Sequence, residues 1–172
     1  MEVHALEEHR KERDEFFKSH YASPIPEEDL EAFCGLSYFP PNAEMVFEGR
    51  FDPSDGAMVP IESTAGTSSG YHKLGTLRVD VLGTQYVFTV LDDGDGNPFI
   101  PFGDETNGDS TYGGGRYLPV TLRDDGTGVI DFDLAHNPFC VYDAEFVCPL
   151  PPPENRLSVP IEAGEKMYVS PA

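Results

Sequence analysis

Two segments carry residues whose types and spacing could support chemistry. In Asp104–Leu118, DETNGDSTYGGGRYL, the glycines Gly113, Gly114 and Gly115 run directly into Arg116. Consecutive glycines let the main chain approach a bound group closely and take conformations closed to other residues. Arg116 then offers a planar fork of donors that matches a carboxylate or a phosphate. Asp104, Thr106, Thr111, Tyr112 and Tyr117 add hydroxyls and a carboxylate around it. The spacing is not that of a phosphate-binding P-loop, which needs GxxxxGK[ST] and a following helix. Two readings remain open: a clamp for a small anion, or an arginine that pairs inside the protein with a carboxylate such as Asp131.

The second segment, Asp131–Cys140 (DFDLAHNPFC), places Asp131 and Asp133 on one face of a strand and His136, Asn137 and Cys140 in the loop beyond. A cysteine near a histidine is a candidate nucleophile, so Cys140 is the candidate catalytic residue. No lysine or helix start adjoins it to depress its pKa, and nearby acids would raise it, so a packed, inert thiol is the competing reading. His136, Cys140 and Cys148 also suggest zinc, but Cys140 and Cys148 are spaced C-x7-C rather than as a close zinc knuckle. We therefore expect no metal ligands and keep a zinc-binding domain built on Cys140 and Cys148 as an alternative. DDGDGNP resembles a calcium loop in its alternating acids, yet Pro98 stands where glycine is required, and a hairpin turn is expected instead. No cofactor is identified by these residues.

The elements that would position these groups follow from periodicity. Val3, Leu6, Arg10, Arg13, Phe16, Phe17 and His20 recur at helical steps, predicting a helix over 3–20 and a helical arm over 1–35. PEEDLEAF predicts a short second helix. Beyond it, MVFEGRFD, MVPIES, HKLGTLRVDVL, QYVFTVLD, FIPF, RYLPVTL, GVIDFD and LSVPIEA read as roughly eight short strands divided by Gly, Asp and Pro turns. CPLPPPENRL carries too many prolines for a central strand or a helix, and reads as an extended strap that returns through a closing strand over 157–161. The expected fold class is α+β: one domain over 1–172, with a helical arm and, over 36–172, a mainly antiparallel β-barrel or sandwich under a C-terminal proline-rich strap.

Composition limits the partners. The chain has 172 residues, 31 acidic against 11 basic, and a formal net charge of −20. The acids are dispersed and only four of the basic residues are lysine. Such a surface gains nothing from releasing the counterions of a nucleic acid, and it is repelled by anionic membranes. It suits a salt-rich cytoplasm, where charge repulsion is screened. No stretch has the length of a membrane span, the N-terminal residues lack a secretory apolar core, and three cysteines make no even disulfide framework, all pointing to a cytoplasmic protein.

The motifs RDEFFKSHYASPI, FGDETNGDSTYGGGRYL, DFDLAHNPFCVY and CPLPPPENRLSVPIEAGEKMY resemble, in order and spacing, the prokaryotic domain-of-unknown-function family 1684. The resemblance implies one constellation made of Asp104, Thr106, Tyr112, Arg116, Tyr117, Asp131, Asn137, Cys140, Cys148, Asn155 and Glu165, with no assigned reaction. His136 stands where the family has an aromatic residue, which argues against a catalytic or zinc role for it. From the order of elements we expect a pocket at one end of the barrel, roofed by the prolines. It would take a small anionic metabolite, with Arg116 as clamp, Tyr112 and Tyr117 as walls, Asn137 as orienter and Cys140 as nucleophile or packed thiol; Asp104, Thr106 and Asp131 complete the binding set. The alternative is a non-enzymatic domain in which these residues tie the strap to the sheet and the arm, through Phe16 and Phe17, forms a homodimer.

Overall fold

The computed structural model describes residues 2–171. One helix, α1 (Val3–Ser19), precedes seven strands: β1 (Val46–Pro53), β2 (Met58–Glu62), β3 (Ser68–Val81), β4 (Thr84–Asp92), β5 (Pro98–Phe102), β6 (Arg116–Leu122) and β7 (Thr127–Asp131). All pairings are antiparallel, in the order β1-β7-β6-β5-β4-β3-β2, and β1 also pairs with β3. Six strands thus close into a barrel. The seventh, β2, is added along the first half of the long strand β3, whose second half reaches β1. No helix among the described residues is long and apolar enough to cross a membrane.

Alternation decides what fills the barrel. Leu77, Val79 and Val81 of β3 point inward and are buried, while Arg78 and Asp80 between them are exposed. With Phe88, Val90, Ile100, Phe102, Leu118, Ile130 and Phe132 they make the main core. Closure is loosest where β4 meets β5, because only Leu91↔Phe99 and Asp92↔Pro98 are paired before the strands diverge. Asn155 from the strap fills that gap. Its side-chain carbonyl accepts the Thr89 N–H at 2.7 Å, and its amide donates to the carbonyls of Thr89 and Pro101, both at 3.0 Å. A side chain here does the work of a missing ladder rung.

Three expectations need correction. The segment over 157–161 is not a strand. It runs beside β5 with Gly103↔Arg156 as an isolated parallel bridge, and Leu157, Ile161 and Ala163 drop into the core as a plug. PEEDLEAF forms only a single 3-10 turn, Glu27–Asp29, so its burial comes from tertiary packing rather than from a helix. Phe17 is not a dimer contact: it is 1% exposed and packs on Phe33, Phe139 and Tyr142 of its own chain. The aromatic stripe of α1 therefore docks on the loop after β7, which fastens the arm to the segment carrying Cys140.

Candidate functional site

Arg116 opens β6, opposite Phe102 of β5. Strand alternation sends its side chain into the barrel and sends the next side chain, Tyr117, to the outside. The guanidinium is fully buried. It donates to the carbonyls of Ile161 (2.9 Å), Ala163 (2.6 Å) and Glu165 (3.1 Å) and to Asp104 Oδ2 (3.1 Å), and lies 5.2 Å from the Phe102 ring. Burial pulls its pKa down, and the Asp104 carboxylate opposes this. Asp104 Oδ1 accepts from the Thr106 amide and hydroxyl and from the Ile161 amide. The anion clamp expected at Arg116 is thus corrected: the fork is filled by the chain's own carbonyls and cannot reach a ligand. Its carboxylate partner is Asp104, not Asp131. The glycines serve this packing, since at Gly115 (φ +87°) a Cβ would lie 2.5 Å from the Phe102 carbonyl and 2.6 Å from Pro151.

Beside this knot lies a second one around Glu165, which is 1% exposed. Its Oε2 accepts from Arg13 of α1 (3.0 Å) and from the Asn137 amide (3.1 Å), and its Oε1 from the Tyr142 hydroxyl. Burial raises the carboxyl's pKa against the pull of Arg13 and these donors. Asn137 also donates its side-chain amide to the Lys166 carbonyl (2.8 Å). Asp131 Oδ1 caps the Asp133 amide (3.0 Å), and Asp133 in turn accepts the Asn42 amide (2.8 Å). Asp104, Thr106, Asp131, Asn137, Asn155 and Glu165 are buried. They join barrel, strap and helix, and the expected shared pocket of Arg116 and Cys140 is corrected accordingly.

The concavity lies on the outer face instead. Two adjoining cavities of about 230 and 280 Å³ share Tyr117, His136 and Pro149. Tyr71, Phe99, Asn97 and Asp93 line the first; Phe139, Phe146 and Cys148 line the second. Tyr117 is the hinge of the groove. Its ring meets Phe99 edge-on at 5.3 Å and His136 at 6.1 Å, and its hydroxyl donates to the Pro149 carbonyl at 2.8 Å. Main-chain bonds in both directions (2.8 and 3.0 Å) hold His136 against β6. The His136 Nδ1 lies 3.3 Å from the Leu134 carbonyl, which can only accept, so this contact puts the proton on Nδ1 and the lone pair on Nε2. Burial, aided by Arg13, lowers its pKa to about 3, so the ring is neutral.

The sulfurs meet under this groove. All three cysteines are free, Cys148 is buried and Cys140 is half-buried. The pKa of Cys148 is lowered by the neighbouring Cys140 thiol above all, against burial, with the nearby Cys140 and Phe139 amides and Tyr117 hydroxyl adding to the effect. Cys140 has its pKa pushed up, first by the neighbouring Cys148 thiol and then by burial. Its sulfur lies 3.9 Å from the Tyr112 hydroxyl, whose pKa burial raises to about 12. Of the two sulfurs it is Cys148 that lines the groove, whereas Cys140, the expected catalytic residue, sits beside the Tyr112 hydroxyl. Among the described residues no three His, Cys, Asp or Glu side chains converge as a metal site requires, so the zinc alternative lacks a third ligand. The alternation in RYLPV was the available signal for Tyr117 facing this groove; nothing local announced Tyr71, Phe99 or Phe146.

The model of the family described as "Protein of unknown function (DUF1684)" matches residues 31–166, and the chain belongs to that family. Among solved structures, the chain is similar to an uncharacterised protein of Haloarcula marismortui determined by solution NMR, at 35% identity and a TM-score of 0.74, over 95% of this chain and 92% of that one. No functionally curated protein matches.

Proposed function

We propose that the protein binds a small, largely apolar and planar molecule in the groove that Tyr117 divides, and that this ligand is neutral rather than anionic. The observation that carries the reading is the contrast between two sets of side chains. Aromatic rings, His136 and a thiol line an accessible concavity, whereas Arg116, Asp104, Thr106, Asp131 and Asn137, expected to bind an anion, are sealed inside. Aromatic walls with few convergent polar groups are the usual lining of small-molecule sites. Neither cavity has a lysine or arginine in its lining, and Asp93 stands at the rim, so an anion would meet repulsion. The unpaired cysteines and the net charge of −20 support action in a reducing, salt-rich cytoplasm.

The test is a titration of isotope-labelled protein, followed by backbone amide NMR, with indole and separately with indole-3-acetate. Indole should shift the amides of Phe99, Tyr117, His136 and Phe139, and the acetate should bind more weakly. Shifts confined to other surfaces, or tighter binding of the anion, would refute the reading.

A further inference from the structure

The imidazole of His136 carries an acceptor that no group in the chain uses. Tyr117, His136 and Pro149 are common to both cavities of the groove. The Tyr117 hydroxyl gives its proton to the Pro149 carbonyl at 2.8 Å, and the main-chain N–H and carbonyl of His136 pair with Tyr117. The His136 Nδ1, 3.3 Å from the Leu134 carbonyl, keeps its proton there. Nε2 therefore bears the lone pair, because one nitrogen of a neutral imidazole donates and the other accepts. Nε2 has no hydrogen-bond partner among the described residues, and it is not among the polar atoms shut off from solvent. The ring is fixed from two sides: its main chain is tied to β6, and its plane stands at 90° to the Tyr117 ring. Burial lowers the imidazole's pKa to about 3, so it stays neutral and offers a lone pair rather than a proton. Asp93, the charged residue of the first cavity, is an acceptor as well.

We propose that His136 sets the specificity of the groove: its Nε2 accepts a hydrogen bond from the ligand, a planar aromatic molecule that carries a ring N–H or a phenolic O–H at its edge. The ligand class rests on the groove-binding reading and adds to it the polarity that the ligand must bring. A ring seated over His136 displaces water from Nε2. A C–H edge or a weakly basic ring oxygen puts nothing in its place and strands the acceptor, whereas an N–H or O–H restores the bond. Sites built to hydrogen-bond a ligand's N–H or O–H reject the analogue without it more strongly than they reject a change in apolar size. The aromatic walls then supply affinity, and the imidazole decides which flat molecules stay.

The experiment uses the full, isotope-labelled chain and two probes of nearly the same shape, indole and benzofuran, in which a ring oxygen replaces the N–H. Long-range proton–nitrogen NMR of His136 should show Nδ1 protonated and Nε2 bare. The Nε2 resonance should lie further upfield in the indole complex than in the benzofuran complex, as for a nitrogen that accepts a hydrogen bond. Indole should bind about threefold to tenfold more tightly than benzofuran, although benzofuran is the more apolar of the two. His136→Phe should abolish that preference, and the comparison in the unaltered chain does not depend on the folding of this variant. A bare Nδ1, equal affinity of the two probes at the amides of Tyr117 and His136, or a preference that survives His136→Phe would overturn the role of His136 and leave the groove as a site. If neither probe shifts those amides, the groove reading falls and the role of His136 falls with it.

Discussion

Replacing Arg116 should unfold the protein rather than empty a pocket. The guanidinium serves the carbonyls of Ile161, Ala163 and Glu165 and the carboxylate of Asp104, all inside the barrel mouth. Arg116→Met keeps much of the apolar stem but leaves a buried carboxylate without its cation. Breaking such a pair from one side costs about 3–5 kcal/mol. Each stranded carbonyl adds about 1 kcal/mol. A total on the order of 6 kcal/mol is comparable with the whole stability of an ordinary domain, about 5–15 kcal/mol. The direct assay is urea unfolding at fixed high KCl, followed by far-UV circular dichroism, with Asp104→Asn and the double variant completing a cycle. In the Arg116→Met background, Asp104→Asn should restore about 2 kcal/mol. The amide no longer buries an unpaired charge, and its carbonyl still accepts from Thr106 and the Ile161 amide. A loss under about 1 kcal/mol for Arg116→Met, or simple additivity across the cycle, would refute the claim that these residues are one buried structural knot.

Three further outcomes follow from the same contacts. Asn155→Ala strands the Thr89 amide and the carbonyls of Thr89 and Pro101. It should cost about 2–4 kcal/mol and speed Thr89 amide exchange more than exchange at β1 or β7; uniform exchange would contradict it. His136 is neutral when folded, with a pKa lowered to about 3, while the unfolded ring takes a proton near its ordinary 6.5. Its share of stability is therefore complete above about pH 6.5 and is lost as pH falls toward 3, so thermal midpoints of wild type and His136→Phe should converge on acidification. An imidazole titrating near 6.5 by NMR would rule this out. Raising KCl from about 0.1 to 1 M shortens the Debye length from about 10 to 3 Å, and with a net charge of −20 the urea midpoint should rise; a flat or falling midpoint would contradict the salt-adapted reading.

Local pattern made most of the barrel legible and left the knots obscure. Hydrophobic alternation marks β3, β4 and β6, and the turn glycines mark their ends. The same alternation in RYLPV separates Arg116 from Tyr117, so the two never share a pocket. What local pattern cannot supply is the partner of a buried charge. Asp131 lies on the strand that follows Arg116 and looks the natural choice. Yet β5 and β6 pair Phe102 with Arg116, which brings Asp104, two residues past Phe102, to the same face. The carbonyls that complete the site come from 45 to 49 residues downstream, on a strap with no regular period. The place of Cys148 in the groove is obscure for the same reason. Cys148 lines it beside Phe139 and Tyr117, and the last of these joins it only through the barrel.

The acidic composition and the buried arginines are two aspects of one arrangement. Of seven arginines, Arg10, Arg13 and Arg116 point into the junction of helix, strap and barrel, against Asp133, Glu165 and Asp104 respectively. There the guanidinium's planar fork can satisfy several carbonyls and a carboxylate at once, which a lysine cannot do. Each of these arginines takes a carboxylate out of the surface with it, so the exposed charge keeps the acidic excess of the sequence. A ligand entering the aromatic groove meets rings and, at the edge, the carboxylate of Asp93, with no lysine or arginine in the lining to offset it. Selection against anions therefore needs no dedicated residue in the site: it follows from the excess of acids left on the surface once these pairs are buried.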